Sequence, residues 1–163
     1  MLRHLINILL FNLPPSRLFR FRRFLLRLAN VHVGEGVCFC GRGWIYGRGQ
    51  LVVGGRTWIS PGCNLFTHSD ATIVIGADCD IGPNVNMIVG SHQIGLNKRR
   101  AGDGVARSIR IGDGCWIGAN VTIIDGVEIS DGCVIAAGSL VNSNIPSNVL
   151  VAGIPAIIKR KLN

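Results

Sequence analysis

Between Val53 and Leu140 an aliphatic residue recurs every six positions, and the residue after it is usually small. In register the blocks read VGGRTW (53–58), ISPGCN (59–64) and LFTHSD (65–70). After a four-residue insertion come IGADCD, IGPNVN and MIVGSH (75–92), and from 111 to 140 come IGDGCW, IGANVT, IIDGVE, ISDGCV and IAAGSL. Repetition at a short fixed period marks a solenoid, and a six-residue period marks a parallel β-helix. Each block is then a short strand and a turn, three blocks make a triangular coil, and coils stack about 4.8 Å apart. First-position aliphatics point inward, and glycine or asparagine at the turns permits positive φ. Residues 33–52, with GRG twice, read as a degraded first coil. The pattern therefore predicts an all-β solenoid of about five coils over residues 31–152.

Residues 1–30 carry a different pattern. The apolar run MLRHLINILLFNL is closed by Pro14-Pro15, which stops a helix. It is too short to cross a bilayer, and no small-residue cleavage site follows it. A helix fits residues 16–29, with Ser16 as its cap, Arg20, Arg23 and Arg27 on one side, and Leu18, Phe21, Leu25 and Leu28 on the other. Such a segment either closes the open end of a solenoid or lies peripherally on an anionic membrane surface. Residues 153–163 form a short basic C-terminal segment.

Composition agrees with many short apolar strands: 22 glycines, 6 prolines and 48% hydrophobic residues. The net charge of +8 is concentrated in Arg17–Arg27, in Lys98, Arg99 and Arg100, and in Lys159, Arg160 and Lys161. Clusters of this kind serve phosphorylated ligands, nucleic acid or anionic membranes, and no nucleic-acid motif accompanies them. Cys63, Cys79, Cys115 and Cys133 each fall four residues after a block-opening aliphatic, a slot for a small buried side chain. No CxxC and no zinc-type His/Cys spacing occurs, so six free thiols and no metal are expected, in a reducing, cytoplasmic setting that includes the inner face of the membrane.

The period breaks once. QIGLNKRRAGDGVARSIR follows His92, and the rule resumes only at Ile111. An interruption longer than about 12–15 residues inside a compact domain is usually functional, so residues 93–110 read as a projecting loop. His92 stands where it leaves the solenoid, and imidazole is the side chain suited to take a proton near neutral pH.

Two stretches carry a likeness to a known family. NLFTHSDATIVIGADCDIGPNVNMIVGSHQ resembles the corresponding part of the galactoside and maltose O-acetyltransferases. IGDGCWIGANVTIIDGVEISDGCVIAAGSLVNSNIPSNVLVAGIPAIIKR resembles their C-terminal half, down to the IP-x-N-x3-AG-x-PA signature. The likeness covers about 33–161 and is stronger still to the O-acetyltransferases of bacterial polysaccharide assembly, including the colanic-acid type. It implies a left-handed β-helix, a handedness the period does not give.

By that resemblance the chain is an acetyl-CoA-dependent saccharide O-acetyltransferase with His92 as general base, working as a homotrimer with sites between subunits. Asp70 matches an acidic acceptor residue, Asn64 and His68 lie in the same coil, and Asp103 falls near a further acidic position that orients the base or binds acceptor. Gly62 stands where the galactoside enzymes have an acceptor-binding asparagine. For CoA the resemblance points to Ala119 and Ala137 backbone, with Gly118 and Gly138 keeping the wall flat and Trp116 lining the groove near His92. Asn142 takes a threonine's place near the adenine, and Lys159 with Arg160 supplies cations for phosphate. Three other functions share parts of this pattern. A γ-class carbonic anhydrase needs three zinc-binding histidines, whereas only His68 and His92 lie in the regular coils. An N-acetyltransferase acting on an amino sugar or an antibiotic uses the same base. A non-catalytic scaffold has no use for a histidine beside a basic loop.

Overall fold

A computed structural model describes residues 1–163. Two helices, α1 (Leu2–Asn12) and α2 (Phe19–Leu28), precede the repeats. The first coil is β1 (Val31–Val33), β2 (Cys38–Phe39) and β3 (Ile45–Tyr46). The second is β4 (Leu51–Val53), β5 (Trp58–Ile59) and β6 (Asn64–Phe66), and the third β7 (Ile73–Ile75), β8 (Asp80–Ile81) and β9 (Asn86–Ile88). A hairpin, β10 (Gly90–Ile94) and β11 (Ala101–Ala106), then leaves the solenoid. The fourth coil is β12 (Ile109–Ile111), β13 (Trp116–Ile117) and β14 (Thr122–Ile124), the fifth β15 (Glu128–Ile129), β16 (Val134–Ile135) and β17 (Leu140–Val141). β18 (Val149–Ala152) starts another turn, and β19 (Ile157–Lys161) folds back antiparallel along it.

These strands stack into three sheets, A (β1-β4-β7-β12-β15), B (β2-β5-β8-β13-β16-β18-β19) and C (β3-β6-β9-β14-β17). The coil pairings are parallel and in register, so each inward residue sits on its counterpart in the next coil. Val33, Val53, Ile75, Ile111 and Ile129 form one buried column, Phe39, Ile59, Ile81, Ile117 and Ile135 a second, and Ile45, Leu65, Met87, Ile123 and Val141 a third. Cys63, Cys79, Cys115 and Cys133 are buried free thiols at the corners, as the repeat predicts. A residue in the left-handed region turns each coil from sheet A to sheet B: Gly36, Arg56, Asp78, Gly114, Gly132 and Asn148 in succession.

The three corners differ in one respect. From sheet B to sheet C the inward residue always comes six positions on, Phe39 to Ile45 through Ile135 to Val141. From sheet C to sheet A the spacing varies: Ile45 to Leu51, Leu65 to Ile73, Met87 to Ile109. Every irregularity of the repeat is absorbed at this corner. The four-residue insertion belongs here too. Ile73 and Val74, which the block reading placed inside it, are regular strand residues of β7, and the extra length is a tight turn at His68–Ala71.

The N-terminal helices cover the open first coil, but not as their amphipathic pattern predicts. α1 seats Asn7 on the coil, donating to the Ile45 carbonyl at 2.9 Å and accepting from its N–H at 3.2 Å. In α2 the inward residues are Arg22, Leu25 and Leu26, while Leu18, Phe21 and Leu28 are 54%, 47% and 49% exposed. The reason is Arg22, which is fully buried. Its guanidinium donates to the carbonyls of Leu10, Leu13, Pro14 and Arg17, closing the C-terminal end of α1. Burial pulls its pKa down, and satisfying four carbonyls offsets that desolvation. Ser16 does not cap α2; the position before the helix is Leu18, in the left-handed region, and no side-chain cap bond forms.

Candidate active site

The hairpin begins at Gly90, so His92 lies inside its first strand and not at the end of a coil. His92 pairs with Gly104 across the two strands, and Gly90 with Ala106. The base of the hairpin is fastened at the corner between sheets C and A. Arg107 N–H donates to the Val89 carbonyl, Thr72 N–H to Ser108 Oγ at 3.0 Å, and Ile109 N–H to the Thr72 carbonyl. Its tip carries Ile94 and Leu96, both exposed, beside Lys98, Arg99 and Arg100.

The imidazole of His92 is exposed, and its Nδ1 lies 3.0 Å from the Gly102 carbonyl oxygen. A carbonyl only accepts, so Nδ1 must carry the proton in this contact. That leaves the Nε2 lone pair free. The resemblance gave Asp103 as a residue that could orient the base. The backbone of Gly102 makes that contact instead, and Asp103 is exposed one residue further on. No feature of the sequence signals a backbone carbonyl as the partner. The hairpin register creates it.

Asp70 and His68 occupy the turn at the same corner, one coil before the hairpin. His68 Nδ1 accepts the Asp70 N–H at 3.2 Å. The same nitrogen therefore cannot donate to the Asp70 carboxylate, and their 3.7 Å approach is not an ion pair. Both side chains remain exposed. Asn64 is placed differently. Its Oδ1 accepts from Trp44 N–H and its Nδ2 donates to Asn86 Oδ1, so it is a rung between coils on sheet C and is not free at the corner. The structure brings His68, Asp70, His92 and Asp103 to one corner and leaves Asn64 out.

The residues expected to bind CoA lie elsewhere. Trp116 is 60% exposed on the outer face of sheet B, between Asp80 and Val134. With Trp58, Ser60, Asp80, Ile81 and Gly82 it lines a groove of about 410 Å³. Gly118, Ala119, Ala137 and Gly138 form the corner between sheets B and C, and the Gly138 N–H donates to the Ala119 carbonyl at 2.8 Å. Gly118 is required by the scaffold itself, since a Cβ there would lie 2.5 Å from the Ala137 nitrogen. Asn142 follows β17 and is exposed, and Lys159 and Arg160 are exposed on β19, Arg160 opposite Leu150. Within one chain Trp116 therefore does not line a groove near His92, because sheet C lies between the face of sheet B and the corner that carries the hairpin. No group of three or more His, Cys, Asp or Glu side chains is placed to hold a metal ion.

Comparison with known proteins agrees with this architecture. Residues 108–143 match the bacterial transferase hexapeptide (six repeats) family. Galactoside O-acetyltransferase of Escherichia coli (strain K12) is 41% identical over 100 residues, which are 61% of this chain and 49% of that protein, so the chain spans about half of that relative. WcaF of the same organism, named for acetyl transfer in colanic acid biosynthesis, is 33% identical over 152 residues, 93% of this chain and 81% of that protein. The hexapeptide-repeat acetyltransferase VCA0836 from Vibrio cholerae O1 biovar eltor, solved with acetyl-CoA, superposes with a TM-score of 0.82 at 28% identity, covering 99% of this chain and 86% of that one. The repeat, the left-handed β-helix it builds and these overlaps place the chain in the hexapeptide-repeat acetyltransferase family.

Proposed function

We propose that this chain transfers the acetyl group of acetyl-CoA to a saccharide hydroxyl in the cytoplasmic stage of bacterial polysaccharide biosynthesis (exopolysaccharide, capsule or O-antigen). The observation that carries the reading is the contact between His92 Nδ1 and the Gly102 carbonyl, which leaves Nε2 as a free base on an exposed arm. Nε2 takes the hydroxyl proton as the oxygen attacks the thioester carbonyl. The tetrahedral oxyanion then collapses, the C–S bond breaks, and the CoA thiolate leaves and recovers the proton from the imidazolium. The products are the O-acetyl saccharide and CoA, with no acyl-enzyme. Asp70, His68 and Asp103 share the corner with His92 and face the acceptor. Trp116, with the backbone of Gly118, Ala119, Ala137 and Gly138, flanks the pantetheine arm, Asn142 lies toward the adenine, and Lys159 and Arg160 meet phosphate.

The same geometry supports reading the assembly as a homotrimer. One chain holds its base at the corner between sheets C and A and its CoA groove on sheet B, so a complete site needs the corner of one copy against sheet B of another. Three copies close that head-to-tail contact into a ring with three sites. The test is His92→Ala against His92→Asn with labelled acetyl-CoA and a panel of saccharides. The reading expects kcat to fall by about 10²–10⁴ with the KM for acetyl-CoA little changed. Full transfer by His92→Ala overturns it, and light scattering at monomer mass with full activity overturns the trimer.

A further inference from the structure

Both N-terminal helices turn apolar side chains away from the coil they cover. In α1 Leu2, Leu5, Ile8 and Leu9 are exposed beside Met1, and in α2 Phe21, Phe24 and Leu28 are exposed. A helix that caps a solenoid normally shows a polar outer face, so this arrangement implies a partner. The apolar stripe of α2 is not turned outward by chance, because Arg22 takes the inward position to close α1. The outward face of α2 is also basic: Arg20, Phe24 and Arg27 follow one another at helical spacing, all exposed, with Arg17 just before the helix. Residues 1–34 hold six arginines and no acidic residue. The face is therefore cationic and apolar together.

We propose that this two-helix face docks the protein on an anionic lipid surface, with α1 and α2 lying in the interface and the solenoid pointing away from it. Charge selects the occupant. A second copy meeting it through the same face would bring arginines against arginines with no carboxylate to pair them, whereas acidic headgroups complement them and the acyl boundary takes Phe21, Phe24 and Leu5. Neither helix is long enough to cross: α1 spans 11 residues and α2 10, against about 20 for a transmembrane helix. The inference goes beyond the transfer reaction and does not depend on it, since no residue of the proposed site lies on these helices.

Co-sedimentation of the full chain with vesicles tests it, comparing mixed phosphatidylglycerol and phosphatidylcholine with phosphatidylcholine alone at low and high salt. The expected result is binding to the anionic vesicles, weakened roughly ten-fold by Arg20→Glu with Arg27→Glu or by raised salt, and likewise by Phe21→Ser with Phe24→Ser. Acetyl transfer to a soluble acceptor stays unchanged in both double variants, which separates this inference from the catalytic one. Equal partition into both vesicle types overturns the proposal. So does an unaltered affinity in both variants. A fall in assembly size of the Phe21→Ser with Phe24→Ser variant in sedimentation velocity also overturns it, by assigning the face to a second copy.

Discussion

Arg107 Nη1 stands 3.2 Å from Asp125 Oδ2, joining the returning strand of the hairpin to the corner of the coil below. Asp125 is only 10% exposed, and although the pair is at ionic distance its alignment leaves Oδ2 without a hydrogen-bond partner. The Arg107 side chain also lies along Gly126, 3.2 Å from where a Cβ would stand. The arm that carries His92 is thus held at its root by a largely buried carboxylate.

Arg107→Ala strands that carboxylate. It should cost about 1–2 kcal/mol, less than a fully buried pair because the arginine side chain is 66% exposed. Asp125→Asn should cost less, and the double variant should recover part of the loss. Thermal melts read as a double-mutant cycle measure the coupling; additive losses would deny the pair its role.

Gly102 is packed as closely as it is hydrogen-bonded. A Cβ at this position would lie 2.9 Å from the Gln93 carbonyl oxygen and 3.2 Å from Gly95 Cα. Gly102→Ala should therefore spread the hairpin and draw the carbonyl off His92. Displacement of about 1 Å at a catalytic base costs up to about 10²-fold, so kcat should drop while the KM for acetyl-CoA holds. Steady-state kinetics with the acceptor saturating decides this.

If His92 and Trp116 of different copies build each site, then His92→Ala chains and Trp116→Ala chains, refolded together, should regain activity that neither has alone. A site free of both substitutions forms wherever an intact corner meets an intact groove. No recovery in mixed assemblies of confirmed composition would place both residues in one subunit's site.

Arg22→Ala should destabilise the fold by about 2–4 kcal/mol, since the carbonyls of Leu10, Leu13 and Pro14 lose their donor. Arg22→Lys should not rescue it, because a single ammonium cannot replace the planar fork. Denaturant melts of the two variants check both statements.

Burial pushes the Cys63 thiol up to about 11, and Cys115 is raised further by its contact with Cys79. The contact with Cys115 lowers Cys79, and partial burial raises Cys38, so access decides which thiol reacts. Alkylation of the native protein should therefore reach Cys38, which is partly exposed, and spare the five buried cysteines. Mass spectrometry before and after denaturation counts the labels.

The solenoid was legible because its period is enforced by contact. Ile75, Ile111 and Ile129 lie on one another, and each must match its neighbour's shape. His92 was legible because it ends that regularity. What escaped the sequence rests on geometry between distant backbone groups. In the sequence Arg22 is one of the arginines of the Arg17–Arg27 cluster, and its burial depends on where α1 ends. Asn64 looked like a site residue, and its partner Asn86 is 22 positions away in the next coil. The rotation of α2 followed from Arg22, so an amphipathic pattern taken alone turned the helix the wrong way.

The corner between sheets C and A has a consequence for how this chain can change. Its strands keep register through sheets A, B and C whether six positions or twenty-two separate Met87-type residues from the next coil. Length added there does not propagate, whereas the B to C corner keeps a spacing of six in every coil. The corner is thus where this chain already carries extra sequence without disturbing the core, and His68, Asp70, His92 and Asp103 all sit on it. What this corner carries is in this sense detachable from the fold, free to drift while the stacked columns stay fixed.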